Sequence, residues 1–234
     1  MKDTQNTTLP QETRSAAQPQ DGQPENGKKT EKTPAKRALS ARYLAKVGIF
    51  AALAYVLYLF PKISLAVIFP SWLELNFSDI PALIGTFALG PWGGAAIVAV
   101  KILLKLPLSQ TGFSGEFADL LCGLALVLPA GFIYKYHRTF KGAVLAMAAG
   151  SLCATLAAVF TNRFIVVPWY VNLMGGWEPI LAMIRPIFAG ITEQNFYTYY
   201  LWLSVVPFNL LRCLIASLVT ALLYKRISRL LAKF

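Results

Sequence analysis

From residue 41 onward the chain is a succession of apolar runs, and this limits its fold more than any other feature. The runs span about residues 41–60, 79–89, 95–106, 116–134, 142–167 and 201–231. A bilayer core takes about 20 apolar residues in a helix to cross, and within it the backbone must satisfy its own hydrogen bonds. The expected fold is an all-α membrane protein with six transmembrane helices. Composition agrees: 56% of the 234 residues are hydrophobic, 14% are charged and the mean hydropathy is +0.53. Soluble domains average about 45–50% apolar and about 25% charged.

The net charge of +11 is unevenly placed. Basic residues gather in the first 46 positions, at 135–141 and at 225–233. This pattern reads as membrane topology rather than nucleic-acid binding, and predicts cytoplasmic N- and C-termini. Residues 1–40 are polar, with almost no large apolar side chain, and are expected to form a disordered cytoplasmic tail. Residues 41–234 form the predicted transmembrane substrate-binding domain.

Between the runs, residues 63–69 lie between Pro61 and Pro70 and read as an extended or hairpin loop. Gly90-Pro91-Trp92-Gly93-Gly94 reads as a tight turn, and Pro168 as the end of the fifth span. A surface helix is expected at 179–185. Ser78 or Asp79 suits a helix N-cap with Pro81 in the first turn, and Asp79 is expected to act as a cap rather than as a ligand contact. Lys101 and Lys105, four apart on one face, are expected to snorkel toward an interface.

Charged and amide side chains inside apolar spans are costly and point to function by default. Asn162, Asn209, Arg212 and Glu116 are the candidates, with Leu73, Glu74 and Asn76 at the polar entry to the second span. Asn209 and Arg212 share a helical face, as do Glu116 and Asp119. Amides and a guanidinium suit a planar, uncharged, hydrogen-bonding ligand, on which Tyr170, Trp72 and Trp169 could stack. The alternative is purely structural contact, such as a Glu116–Arg212 pair or an Asn162 bridge between helices.

Cys122, Cys153 and Cys213 each fall in an apolar run without CxxC spacing, which predicts buried thiols and no disulfide. The lone His137 sits in a basic loop with no second ligand nearby. No metal site, catalytic set, cofactor or phosphate-binding loop is expected, so any transport must draw energy from a gradient or a partner ATPase. In the first span Ala41/Ala45 and Gly48/Ala52 form small-xxx-small pairs. These serve either internal packing or docking of a partner at Ala45, Gly48 and Ala52.

Taken in order, LNFSDIPALIG at 75–85, FALGP at 87–91, GEFAD at 115–119, NRFIVVPWY at 162–170, VPFNLLR at 206–212 and Tyr224-Lys225 resemble the riboflavin-specific S components of energy-coupling factor (ECF) transporters. The resemblance runs from about residue 43 to the C-terminus. It implies a six-helix subunit of the bacterial plasma membrane that binds riboflavin from outside, with the first loop as a lid. It also implies docking on a transmembrane coupling subunit driven by two cytoplasmic ATPase subunits, and release by toppling in the membrane. Gly48 and Ala52 match the family's docking motif, with Gly in place of its first Ala. Asn162, Asn209 and position 212 fall where the family contacts the flavin. Arg212 stands where Lys is usual, and Asp119 where Asn is common. An S component for another heterocycle, an integral membrane enzyme using Glu116, Asp119 and Arg212, and a scaffold protein are the remaining alternatives.

Overall fold

The computed structural model describes residues 41–60, 63–65, 68–109 and 111–231. The expected disordered tail at 1–40 and the basic side chains beyond 224 lie outside the described residues. Helix α1 is Ala41–Leu59. A two-residue strand, β1 Ile63–Ser64, pairs antiparallel with β2 Glu74–Leu75. Helices α2 Asp79–Leu89, α3 Pro91–Lys105 and α4 Ser114–Tyr136 follow. Helix α5 Phe140–Thr161 passes through a π turn at Asn162–Val166 into α6 Val167–Leu173. A short helix, α7 Glu178–Ile184, takes the place of the expected surface helix. Helix α8 Phe196–Tyr200 passes through a second π turn, Leu201–Val205, into α9 Val206–Leu231.

Among the described residues, five helical segments are long and apolar enough to cross a membrane: Ala41–Leu59, Pro91–Leu108, Ser114–Tyr136, Phe140–Leu173 and Phe196–Tyr224. Helix α2, with 11 residues, is shorter. It packs against α1, α3, α4 and α9 and so lies inside the bundle. That explains its composition. A helix wrapped by protein can be apolar all round without reaching across the lipid.

Two boundaries differ from the sequence reading, each for a definable reason. Pro91 begins α3 rather than closing a turn, because proline suits a first helical position. The chain reverses on Gly90 alone, at φ +86°, a backbone region open to glycine. Pro168 does not end the fifth span either. In an α-helix its ring would press on the carbonyl four residues back. The π turn widens the helix at that place, and Val167 N–H bonds five residues back to the Asn162 carbonyl. Pro207 follows the second π turn in the same way, with Val206 N–H on the Leu201 carbonyl.

Helices α4 and α5 approach closely: a Cβ added at Gly150 would lie 2.4 Å from the Leu126 carbonyl oxygen. Far from the loops, Ile80, Leu83, Phe87, Leu126, Ala130, Tyr134, Met147 and Cys213 form one core cluster. The β1–β2 hairpin packs Phe69 and Leu75 on Phe208 of α9, with the two phenylalanine rings edge-on at 5.5 Å.

Candidate functional site

At the end of the bundle beneath the hairpin lies a cavity of about 190 Å³. All eight candidate ligand residues line it: Leu73, Glu74 and Asn76 from the hairpin and its exit, Glu116 from α4, Asn162 and Tyr170 from the α5–α6 segment, and Asn209 and Arg212 from α9. Sequence reasoning left out Tyr58, Lys105, Thr111, Cys122 and Phe208, which line it too. Trp72 is part of the wall and stacks on Tyr170 at 6.5 Å and 25°. Trp169 faces outward instead and packs beside Gly112.

The π turns aim the two asparagines. Each is buried, and each donates from Nδ2 to the carbonyl four residues back: Asn162 to Ala158 and Asn209 to Val205, both at 2.8 Å. Asn162 Oδ1 also accepts the Tyr200 hydroxyl at 2.7 Å. Among the described residues, Asn209 Oδ1 takes no hydrogen bond from the protein. Amides at this place thus keep both a donor and an acceptor for a ligand. π turns within α-helices are frequent at functional sites.

The ionisable side chains form a paired network. Asp79 accepts from Arg212 Nε at 2.8 Å and from Lys101 at 3.3 Å. Arg212 Nη1 reaches Asp119 at 2.8 Å, and Asp119 also accepts the Tyr58 hydroxyl from α1. Glu116 is held by Lys105 at 3.0 Å, Ser109 at 2.8 Å and Thr111 at 2.6 Å. Three acids and three bases therefore balance within the bundle. Burying any of them alone would be costly, and pairing with hydrogen bonds is what makes it tolerable.

This arrangement corrects three expectations. Lys101 and Lys105 do not snorkel: Lys101 is fully buried, and its ammonium also donates to Ser78 Oγ at 2.7 Å. Ser78 rather than Asp79 holds the N-cap position of α2; the Asp79 carboxylate is held by Arg212 and Lys101. A Glu116–Arg212 pair does not form, because each has other partners. The signal was present in part, since the three acids inside apolar spans, Asp79, Glu116 and Asp119, each require a buried partner. The two positions that depart from the family pattern, Asp119 and Arg212, are partners of one another.

The small residues of α1 divide between its faces. Ala51 and Ala54 are buried in the bundle, whereas Ala45, Gly48 and Ala52 face outward. A Cβ added at Gly48 would meet nothing within 4 Å. Internal packing therefore does not explain the Gly48/Ala52 pair. The three cysteines are free, and no cluster of metal-ligating side chains occurs among the described residues.

Comparison with known proteins gives one answer. Residues 42–224 match the family model described as ECF transporter, substrate-specific component. The chain is 28% identical to the riboflavin transporter RibU of Staphylococcus aureus (strain TCH60) over 190 residues, covering 81% of this chain and 92% of that protein. It is 26% identical to the riboflavin transporter FmnP of Bacillus subtilis (strain 168) over 194 residues, covering 80% and 92%. A solved structure described as "Structure and mechanism of the S component of a bacterial ECF transporter" superposes with a TM-score of 0.61 at 29% identity. It covers 80% of this chain and 96% of its own. The resemblance read from the sequence motifs holds.

Proposed function

The chain belongs to the substrate-specific components of ECF transporters, and from that membership we propose that it binds riboflavin in the cavity beneath the hairpin and delivers it for uptake. As a member of that family it is a multi-pass protein of the bacterial plasma membrane and a transport subunit rather than an enzyme. The membrane-enzyme and scaffold alternatives fall away.

In the proposed arrangement α2 counts as a sixth crossing beside the five long segments. The N- and C-termini are cytoplasmic, and the cavity opens outward. The basic residues at 135–141 and 225–233 support this orientation. The observation that carries the ligand reading is the convergence of two buried amides, Asn162 and Asn209, with the stacked pair Trp72–Tyr170. A flavin ring carries carbonyls and ring nitrogens along one edge and a flat π surface. Amides serve the first and aromatic rings the second. Arg212 keeps the positive charge of the usual Lys, and the negative charge that Asp119 adds is paired with it at 2.8 Å. No cofactor is required; riboflavin is cargo.

Ala45, Gly48 and Ala52 are the proposed docking stripe for a transmembrane coupling subunit, which two cytoplasmic ATPases would drive. Small side chains allow close approach of helix backbones in lipid.

The test is purification in detergent without added ligand, followed by visible absorbance. The expected result is a co-purifying yellow flavin, lost in an Asn162→Ala/Asn209→Ala double variant that remains monodisperse. Arg212 is left intact because its loss would take a cationic partner from both Asp79 and Asp119. Tight binding of another vitamin with no affinity for flavin would overturn the proposal.

A further inference from the structure

One buried hydroxyl joins the hairpin to the cavity amide. Tyr200, at the end of α8 and immediately before the second π turn, is fully buried. Its oxygen accepts the Trp72 indole N–H at 3.0 Å, and its O–H donates to Asn162 Oδ1 at 2.7 Å. Asn162 Nδ2 in turn donates to the Ala158 carbonyl at 2.8 Å.

The direction of every bond in this relay follows from its two ends. An indole N–H only donates, and a backbone carbonyl only accepts. The Tyr200 proton must therefore point at Asn162, and the Asn162 amide has one permitted orientation. What it has left for a ligand is one N–H and one lone pair, in a fixed place. The same hydroxyl holds Trp72, whose ring stacks on Tyr170 and whose neighbours Leu73 and Glu74 line the cavity. The π turns make this possible: Leu201–Val205 sets the aim of Tyr200 and touches Asn162–Val166, where Asn162 begins.

We propose that Tyr200 is a positioning residue for ligand binding: through one hydroxyl it fixes the Asn162 amide and latches the Trp72 segment of the hairpin over the cavity. It touches the ligand through neither. The inference rests on the riboflavin reading for its kinetic consequence, and on the relay alone for its structural one.

Tyr200→Phe is the variant to make. The ring packs between Phe196 at 5.1 Å and Trp72 at 6.0 Å, and phenylalanine keeps that packing. The hydroxyl alone is lost, which strands the buried Asn162 amide and the half-buried Trp72 indole. Loss of such a pairing corresponds to roughly tenfold faster riboflavin release, measured by stopped-flow recovery of flavin fluorescence. Two further measurements separate positioning from general loosening. In a cycle with Asn162→Ala, the effects on release rate are expected to be strongly non-additive, because both variants break the same relay. In ligand-free protein labelled at the indole nitrogens, the Trp72 N–H is expected to exchange slowly in the wild type and fast in Tyr200→Phe.

Additive effects in the cycle would overturn the proposal. So would a Tyr200→Phe variant that melts earlier yet releases flavin at the wild-type rate. If the wild type takes up no flavin, the proposed function fails, while indole exchange still decides whether Tyr200 holds Trp72.

Discussion

Helix α4 passes through two environments. Near its start, Glu116 and Asp119 belong to a network of six ionisable side chains on α2, α3, α4 and α9. Roughly 18–27 Å further along the same helix, Gly131 touches Pro91 and Thr86, and Tyr134 meets the Phe87 ring at 4.5 Å and the Tyr224 hydroxyl at 2.8 Å. Every buried charge among the described residues lies at the first end. Both π turns lie there as well, while the other end is regular helix with close-packed glycines. Apolar packing and polar pairing are thus assigned to different ends. One end is held by packing that any membrane bundle could use. The other accepts ionic groups and irregular backbone, each compensated by a specific partner, and gains a polar cavity.

That contrast can be broken most directly at Arg212. Arg212→Ala takes from Asp119 its cationic partner and from Asp79 one of two, and breaking a buried ion pair costs about 3–5 kcal/mol. A large fall in melting temperature in detergent is expected, with partial recovery in Arg212→Lys. Melting at the wild-type temperature would show that the ion network does not organise this end.

The far end is tested by Gly131→Leu, where the added side chain meets the Pro91 backbone. Overpacking of this kind costs about 1–3 kcal/mol. Melting should drop while flavin affinity of the folded fraction is unchanged. A parallel loss of affinity would mean the two ends are coupled.

Asn209→Ala reverses the pattern. Its Oδ1 and remaining N–H are offered to the ligand, so affinity should weaken by about tenfold or more. Melting of the ligand-free protein should shift far less than in Arg212→Ala. Titration followed by flavin fluorescence quenching reads the first, and calorimetry the second.

The smallest effect on either end is expected from Ala52→Trp, since Ala52 faces outward. Flavin binding and melting should both match the wild type. Uptake by cells supplying the partner subunits should nonetheless be lost. Intact uptake would remove α1 from the docking surface.

Much of this was legible in the sequence because it depends on local pattern. The bounds of α2 follow from Asp79, Pro81 and Gly90, and α1 from an uninterrupted apolar run. The cavity residues were legible as polar groups in apolar spans, and they do converge. What was not legible is pairing over distance. Lys101 and Arg212 find Asp79 from 22 and 133 positions away, and helical periodicity says nothing about such partners. Read locally, a lysine pair on one face suits an interface; in the folded bundle the acids were already inside. Pro168 misled for a related reason. Its effect on an α-helix is well defined, but the π turn that absorbs it is a property of the turn before it.

Each π turn holds one residue more than an α turn would, and this changes how length differences in these two spans should be read. Deleting a single residue from 162–166 would close the turn to α geometry and leave Tyr170 close to its present place, whereas a deletion from regular helix would rotate all that follows by about 100°. The same holds for 201–205, ahead of Asn209 and Arg212. In an alignment, a one-residue gap at either place would be absorbed locally: it removes the widening that accommodates Pro168 or Pro207 and leaves the number of crossings and the facing of the downstream residues unchanged.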